Sequence, residues 1–326
     1  MCIHLFDLLD YYKKDNFMLK FKLSFALLIF FTMFSFIIVL SCKEEKNKET
    51  ITEGTMTIYT DETLMSIVED QVAVFESQYK AKITQINKSE AEVVNSLITG
   101  KSDFAVLSRR LTVDENKAFD NKKIRPRVTK FASDAIVFIS NKSSNDTVVD
   151  LQEVINFIQG KSSKIKSLVF DNPNSSNVKY LDSLSGVSIK NNKNVYSLGS
   201  HEEVLKYVSD NTGVIGVTGL NSIVQPYPKW ETLMDKIKVM GVKNVKTGSN
   251  NSEYYKPTQA NLGKGLYPLR RDIYVLNCQG SARLGTGFAS FLAGDIGQRI
   301  ILTSGLLPVR IPERIIITRN QIMNNK

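Results

Sequence analysis

Residues 168–181 read Leu-Val-Phe-Asp-Asn-Pro-Asn-Ser-Ser-Asn-Val-Lys-Tyr-Leu, which predicts a short apolar strand, a polar turn and the start of a helix. Pro173 and its flanking asparagines interrupt the strand. Ser175, Ser176 and Asn177 then stand in the first turn of the helix, where backbone N–H groups have no intrahelical partner. These N–H groups, the hydroxyls and the positive end of the helix dipole can together hold an anion. The alternative is that Ser175 or Ser176 is only an N-cap.

Composition limits the classes of protein to consider. The chain has 326 residues, of which 42% are apolar and 23% charged, as in an ordinary globular protein of about two domains. Its formal net charge is +9, but the basic residues are dispersed, which argues against a nucleic-acid groove. His4 and His201 are the only histidines, so we expect neither a His-rich metal site nor a His-dependent hydrolase, and no cofactor.

Residues 1–42 have the pattern of a bacterial lipoprotein signal. An apolar run at 23–40 follows Lys20 and Lys22 and ends just before Ser41 and Cys42, so Cys42 is the predicted lipidated N-terminus. Met18 stands directly before the basic pair and is the predicted true start. The alternative is an N-terminal transmembrane anchor, because 18 apolar residues can span a bilayer. Residues 43–54 are polar and charged, as a flexible tether should be.

This signal predicts a protein of the cell envelope, attached to a membrane through its lipid alone. The Cys-Lys-Glu-Glu start at 42–45 also resembles the acidic signals that send some Bacteroidetes lipoproteins to the cell surface. Cys278 is the one cysteine after the signal, so no intrachain disulfide is expected there. It ends an apolar run, which favours a small buried side chain over a nucleophile.

From residue 55 onwards, short apolar strands alternate with amphipathic helices, which predicts an α/β fold with largely parallel sheets. Capping boxes such as Ser89 with Glu92 mark the helix starts. Hydroxyl-rich or charged turns follow several strands, and ligands of open α/β sheets bind at that edge. These turns lie at 60–63, 87–89, 108–109 and 174–177.

Four further segments, in this order, resemble those of the phosphate-binding proteins of bacterial ABC transporters. Residues 157–161 (FIQGK) are similar to the family's F-x-G-K helix end, and 212–216 (TGVIG) to its G-x-I-G strand. Residues 267–274 (YPLRRDIY) resemble a Y-P-L-x-R-x-x-Y segment. The Gly-Gln pair at 297–298 and the GLLP run at 305–308 are similar to the closing pattern.

The resemblance, which runs from about residue 56 to 308, implies the class II periplasmic-binding-protein fold. Two lobes would be joined by two crossover strands, with phosphate enclosed in the cleft. The implied first lobe comprises 55–140 and 226–326, and the second comprises 141–225. The implied phosphate-binding residues are Thr60, Asp61, Glu62, Thr63, Ser89, Ser108, Arg109, Asp171, Ser175, Ser176 and Asn177.

The chain departs from the family pattern at three of these positions. Asp171 stands where many members have Arg, Asn177 where they have Thr, and Arg109 where some have Asp. We therefore expect Arg109 to be the cation of the site. The alternatives are that Asp61, Glu62 and Asp171 are helix N-terminal charges facing solvent, or that Arg109 only pairs with Asp171.

The resulting hypothesis is a monomeric, lipid-anchored protein that captures phosphate and delivers it to the permease subunits of an ABC transporter. A binding protein for another oxyanion is the nearest alternative. A surface or adhesion module that lost its ligand is another, because a fold alone does not fix a function. An enzyme is disfavoured, since neither a nucleophile with its base nor a metal cluster is recognisable.

Overall fold

The computed structural model describes residues 49–245, 253–280 and 282–313. The predicted lipoprotein signal, Met18, Cys42 and the first half of the tether lie outside these residues. The strands are β1 (Glu53–Asp61), β2 (Lys80–Lys88), β3 (Phe104–Leu107), β4 (Arg127–Asn141), β5 (Val148–Asp150), β6 (Leu168–Phe170), β7 (Val195–Ser197), β8 (Ile215–Gly219), β9 (Ile237–Val239), β10 (Gly241–Lys243), β11 (Arg270–Asn277) and β12 (Leu307–Pro308).

Helices connect most of these strands, and none in the described part has both the length and the apolar character that a membrane crossing needs. The α-helices are α1 (Met65–Gln78), α2 (Glu90–Thr99), α3 (Val113–Asn121), α4 (Leu151–Ile158), α5 (Ser176–Ser185), α6 (His201–Asp210), α7 (Leu220–Val224), α8 (Glu231–Met234), α9 (Gln259–Gly263), α10 (Leu284–Ala293) and α11 (Asp295–Thr303). Short 3₁₀ turns lie at Glu62–Leu64, Ile189–Asn191 and Pro228–Trp230.

Most of the strands form one mixed sheet in the order β2-β1-β3-β11-β4-β8-β6-β7. The two outer parts of this sheet are parallel, as predicted: β1 pairs with β2 and β3, and β6 pairs with β7 and β8. The middle is antiparallel, because β11 and β4 run against their neighbours. The predicted α/β architecture is therefore confirmed, with the antiparallel pairs concentrated where the two outer parts meet.

Strand β4 connects the two parts of the sheet. Its residues up to Ala135 pair with β11, and from Ile136 onwards they pair with β8 and then β9. From Phe131 to Asn141 every residue of β4 is buried, which a strand covered on both faces requires. Strand β4 therefore belongs to both parts of the sheet.

The chain returns to the first part of the sheet late. β9 pairs with the end of β4, and β10 pairs with β5, so residues 237–243 still belong to the second group of strands. β11 then pairs with β3 and β4. The predicted lobe boundaries stay a prediction, and these pairings favour a return after 243 rather than at 226.

Local capping signals position the helix starts that face the site. The capping box of Ser89 with Glu92 opens α2, as predicted, and that of Thr112 with Glu115 opens α3. Ser175 caps α5, since its hydroxyl accepts a hydrogen bond from the Val178 N–H at 3.4 Å. The N-terminus of α5 is thereby fixed directly after β6, at the edge of the sheet.

Candidate functional site

A buried arginine, Arg271, lies where the turn after β1, the start of α5 and the two middle strands meet. Its side chain is only 2% exposed. Asp134 is its direct partner across the β4–β11 pairing, with Nη2 and Oδ2 separated by 2.7 Å. Nη1 donates to Ser176 Oγ at 2.8 Å and to Asn177 Oδ1 at 3.2 Å. We call Thr63, Asp134, Ser176, Asn177 and Arg271 the central cluster.

Every N–H donor of the Arg271 guanidinium has a protein acceptor in this closed arrangement. Besides the bonds already given, Nε donates to Asp134 Oδ2 at 3.1 Å and Nη2 to Thr63 Oγ1 at 3.1 Å. Burial by itself would lower the pKa of Arg271, but the Asp134 and Asp61 carboxylates raise it overall. The guanidinium therefore carries a permanent positive charge in the interior.

The two predicted lobes meet at this cluster. Thr63, from the turn after β1, and Ser176, from the start of α5, lie 3.1 Å apart at their hydroxyl oxygens. Asn221 also donates to the Ser66 hydroxyl at 2.8 Å. Gly219 comes so close to Arg271 that a Cβ added there would lie 2.8 Å from Nη2, so this position leaves no room for a side chain.

The end of β1 and the turn that follows it present both satisfied and unsatisfied polar groups. Asp61 is fully buried, and its Oδ1 accepts from the Thr63 N–H at 3.1 Å and hydroxyl at 3.0 Å. Ser108, from the turn after β3, donates to Asp61 Oδ2 at 3.4 Å. The Thr60 hydroxyl and Glu62 Oε1 are buried without a hydrogen-bond partner in the described part of the chain.

Asp171 and Asn177 face each other at the turn after β6. Asp171 is 4% exposed, and its Oδ1 accepts from the Asn172 N–H at 2.8 Å. Asn177 Nδ2 donates to Asp171 Oδ2 at 3.4 Å. Burial raises the pKa of Asp171, and the nearby Asp61 carboxylate adds to that effect. The alternative of solvent-facing helix charges is thus wrong for both Asp61 and Asp171.

Arg109 does not lie in the central cluster. Its Nε bonds Glu90 Oε1 at 2.8 Å, and its two terminal nitrogens hold the Glu115 carboxylate at 2.7 and 2.9 Å. Lys179 lies 3.2 Å from the same Glu90 oxygen. The alternative of an Arg109–Asp171 pair is therefore wrong, because two carboxylates nearer to Arg109 already take its donors.

The remaining predicted residues have mainly local roles in this closed arrangement. Ser89 is buried and donates to Glu92 Oε2 at 2.6 Å, within its capping box. Ser175 is likewise an N-cap, although the amides of Ser176 and Asn177 that follow it have no intrahelical partner. The structure thus supports the cap interpretation of Ser175 and leaves the end of α5 able to bind an anion.

Two pockets flank the central cluster, and five of the eleven predicted residues line them: Ser108 and Arg109 line one, and Glu62, Thr63 and Asp171 line the other. The first, of about 370 Å³, we call the arginine pocket; it is lined by Ser108, Arg109, Arg110, Tyr180, Arg270, Arg271, Asp272 and Tyr274. The second, of about 250 Å³, we call the Glu62 pocket; it is lined by Glu62, Thr63, Met65, Asn87, Asp171, Gly199, Ser200, His201, Glu202, Thr218, Ser222, Lys229 and Trp230.

Sequence reasoning missed the central pair of the site, Asp134 and Arg271. A signal was present for Asp134, a single charged residue inside the mostly apolar run 131–139, which can be buried only with a partner. Arg271 gave no such signal, because it stands between Arg270 and Asp272 at the charged start of β11. Arg271 also lies inside the 267–274 segment, whose resemblance to the family pattern does not by itself mark a cation of the site.

Comparison with known proteins identifies relatives of the whole fold. A curated phosphate-binding protein PstS of Staphylococcus epidermidis is 24% identical over 72% of this chain and 73% of its own length. A structure from Clostridium perfringens, described as a phosphate ABC transporter substrate-binding protein with bound phosphate, superposes with a TM-score of 0.62. It is 16% identical and covers 79% of this chain and 100% of its own.

A second solved structure has the same fold. The ABC-type phosphate transport receptor of Vibrio cholerae gives a TM-score of 0.58 at 17% identity, over 78% of this chain and 100% of its own. These likenesses confirm the predicted two-lobed class II fold. The model of the PBP superfamily domain matches residues 46–295, most of the chain, and the protein therefore belongs to the PBP superfamily.

Proposed function

We propose that this protein is a lipid-anchored, extracytoplasmic binding protein that captures inorganic phosphate for an ABC transporter. The observation that carries the proposal is the buried Arg271 between the turn after β1 and the start of α5. A permanent cation, unpaired helix N–H groups and several hydroxyls converge there, which are the groups that hold an oxyanion. The named activity of the PstS relative supports the choice of phosphate.

Arg271 is the proposed countercharge, in place of Arg109. Its donors are taken by the Thr63 and Ser176 hydroxyls and by Asn177. A phosphate oxygen entering between the lobes would displace some of these contacts. The hydroxyls, which donate as well as accept, could then turn their O–H groups towards the ligand.

The buried carboxyl groups would favour phosphate over sulfate. Asp171 lies in the turn that leads into α5, its pKa is raised by burial, and it is not ion-paired within the described residues. An ionised Asp171 could accept the proton of monohydrogen phosphate, and sulfate has no such proton. A protonated Asp171 could donate to either anion, so selectivity should be greatest where Asp171 is ionised.

The decisive experiment is calorimetric titration of the purified protein with phosphate and with sulfate, supported by thermal shift. A specific ligand raises the melting temperature because it binds the folded state alone. Saturable phosphate binding with much weaker sulfate binding is the expected result. If sulfate or another oxyanion binds more tightly, the second candidate, a different oxyanion, takes its place. If no oxyanion binds, the ligand-free surface module becomes the better explanation.

Anchoring through Cys42, a monomeric state and delivery to permease subunits are parts of the same proposal. The signal pattern at 18–42 supports the anchoring, and the named role of the Vibrio cholerae receptor supports the delivery. Co-purification with the transporter's membrane subunits in the presence of phosphate tests the last of these. Loss of that association in phosphate-free buffer is the expected result for a ligand-dependent delivery.

A further inference from the structure

The Glu62 pocket adjoins the central cluster and has the opposite electrostatic character to the arginine pocket. Thr63 belongs to both the Glu62 pocket and the central cluster, since it lines this pocket and its hydroxyl contacts Arg271 and Ser176. A group in this pocket would therefore be directly next to an anion held at the central cluster. The volume of about 250 Å³ is several times the roughly 30 Å³ share of one water molecule.

The charges of this pocket do not cancel. Lys229 is paired with Glu202 at 2.7 Å, which also accepts from the Trp230 ring N–H at 3.0 Å. Glu62 and Asp171 have no ion pair within the described residues. Burial, with Asp171 and Asp61 nearby, raises the pKa of Glu62 to about 7. The pocket thus holds two carboxyl groups that lack a cation.

Two buried polar atoms in this pocket also lack a partner. Glu62 Oε1 is one of them, and His201 Nε2 is the other. The other ring nitrogen of His201 lies 2.8 Å from the Thr218 hydroxyl, and the ring packs against Trp230 with centroids 4.7 Å apart. Burial lowers the pKa of His201 to about 4, so the ring is neutral at pH 7.

Of the two neutral tautomers of His201, the one that donates through Nδ1 to the Thr218 hydroxyl presents an Nε2 lone pair, which can only accept a hydrogen bond, and this is the tautomer that an ammonium group would select. Glu62 and Asp171 likewise only accept when they are ionised, and a neighbouring ammonium group favours their ionised forms by lowering their raised pKa values. The pocket therefore offers a set of acceptors and an aromatic ring, with a buried cation and helix N–H groups next to it. An ammonium group supplies up to three donors and a positive charge, and it is attracted to aromatic faces.

From this juxtaposition we infer that the preferred ligand is a phosphate compound carrying an ammonium group on a short alkyl arm, such as an aminoalkyl phosphate monoester or an aminoalkylphosphonate. The inference rests on the proposed phosphate site, because the oxyanion of the ligand would occupy the central cluster. The ammonium group would occupy the Glu62 pocket, between Glu62, Asp171 and His201. Inorganic phosphate would then be the smallest ligand that the site accepts.

The test compares three ligands by calorimetric titration of the full protein: inorganic phosphate, phosphoethanolamine and 2-hydroxyethyl phosphate. The last two have alkyl arms of similar length, and only the arm of phosphoethanolamine carries a charge. We expect phosphoethanolamine to bind at least about tenfold more tightly than the hydroxyl compound, a ratio that corresponds to 1.4 kcal/mol. The preference should fall to about twofold or less in Glu62→Gln.

Glu231→Gln is the matched control variant, because Glu231 is exposed and near the pocket without lining it. It should keep the wild-type ratio of the two esters. A parallel titration with 2-aminoethylphosphonate shows whether the protein prefers the phosphonate or the phosphate monoester, which carry the same two charged groups. Tighter binding of either one than of both the hydroxyl compound and inorganic phosphate supports the inference.

The possible failures are distinguishable. If phosphate binds more tightly than the ammonium ester, or if it binds while the ammonium and hydroxyl esters bind equally or both fail to bind, the inference is overturned and the proposed phosphate function stands. If neither phosphate nor any ester binds, the proposed function itself is overturned. A preference for the ammonium ester that survives in Glu62→Gln would place the ammonium group elsewhere and would also overturn the inference.

Discussion

Replacing Arg271 tests the central cluster most directly. Arg271→Met removes the charge and keeps much of the side-chain length, leaving Asp134, which is 0% exposed, without its cation. Breaking a buried ion pair by removing one partner costs about 3–5 kcal/mol of stability. If Arg271 is also the countercharge of the ligand, phosphate binding should weaken by about 30- to 5,000-fold, from a loss of roughly 2–5 kcal/mol.

A double variant separates folding from binding. Replacing a buried ion pair by apolar residues of similar volume is often nearly neutral, so Arg271→Met with Asp134→Leu should recover to within about 2 kcal/mol of wild type. Phosphate binding should stay lost, because the cation is still missing. Urea unfolding gives the stabilities, and calorimetry gives the affinities.

Arg270→Met is the matched control for this pair of measurements. Arg270 is the preceding residue of the same strand, but its side chain is 35% exposed and lies 3.4 Å from Asp272. Exposed ion pairs contribute only about 0–1 kcal/mol, so both stability and affinity should change little. Wild-type phosphate affinity in the double variant would refute the assignment of Arg271 as the countercharge.

Three further predictions concern other parts of the chain. Mass spectrometry of the mature wild-type protein should find an acylated N-terminal Cys42, and Cys42→Ala should abolish acylation; an unacylated wild-type chain that begins upstream would contradict the lipoprotein hypothesis. Arg109→Ala should change phosphate affinity by less than about threefold, since Glu90 and Glu115 already hold that side chain; a larger loss by calorimetry would return the cation to Arg109. In the folded state the pKa of Glu62 is raised from its usual value of 4.5 to about 7, so the folded state binds more protons and Glu62 should make the free energy of unfolding fall as pH rises from 4.5 to 7. The decline should be shallower in Glu62→Gln, and equal pH slopes by urea unfolding would show that Glu62 does not titrate in this range.

The local features of the fold were predictable because their signals lie within a few residues. The capping box of Ser89 with Glu92 is visible at a spacing of three, and in the structure the Glu92 carboxylate accepts from both the N–H and the hydroxyl of Ser89. The turn before Ser175 was predicted in the same way, from its proline and asparagines. Strand–helix alternation likewise predicted the α/β class without any knowledge of pairing.

The pairing of Arg271 with Asp134 was not predictable in that way. The two residues are 137 positions apart, and they meet only because β4 and β11 are antiparallel in one particular register. A shift of the register by one residue would turn each side chain to the other face of the sheet. The same limitation explains why Arg109 was expected in the site: its partner Glu90 lies 19 residues away and is brought close by the packing of α2.

The position of the ion pair on β4 has a mechanical consequence. Asp134 lies one residue before Ala135, the last residue of β4 that pairs with β11 before Ile136 pairs with β8. If the lobes rotate about this strand, Asp134 and Arg271 lie near the rotation axis and move little, whereas Thr63 and Ser176 move with opposite lobes. The positive charge of Arg271 would then be in position in both the open and the closed protein, and only the hydroxyls of Thr63 and Ser176 would move into the site on closure. The association rate and the dissociation rate of the ligand could therefore be altered separately. Changes to the charges near the rotation axis would act on association, and changes to the contact between Thr63 and Ser176 would act on dissociation.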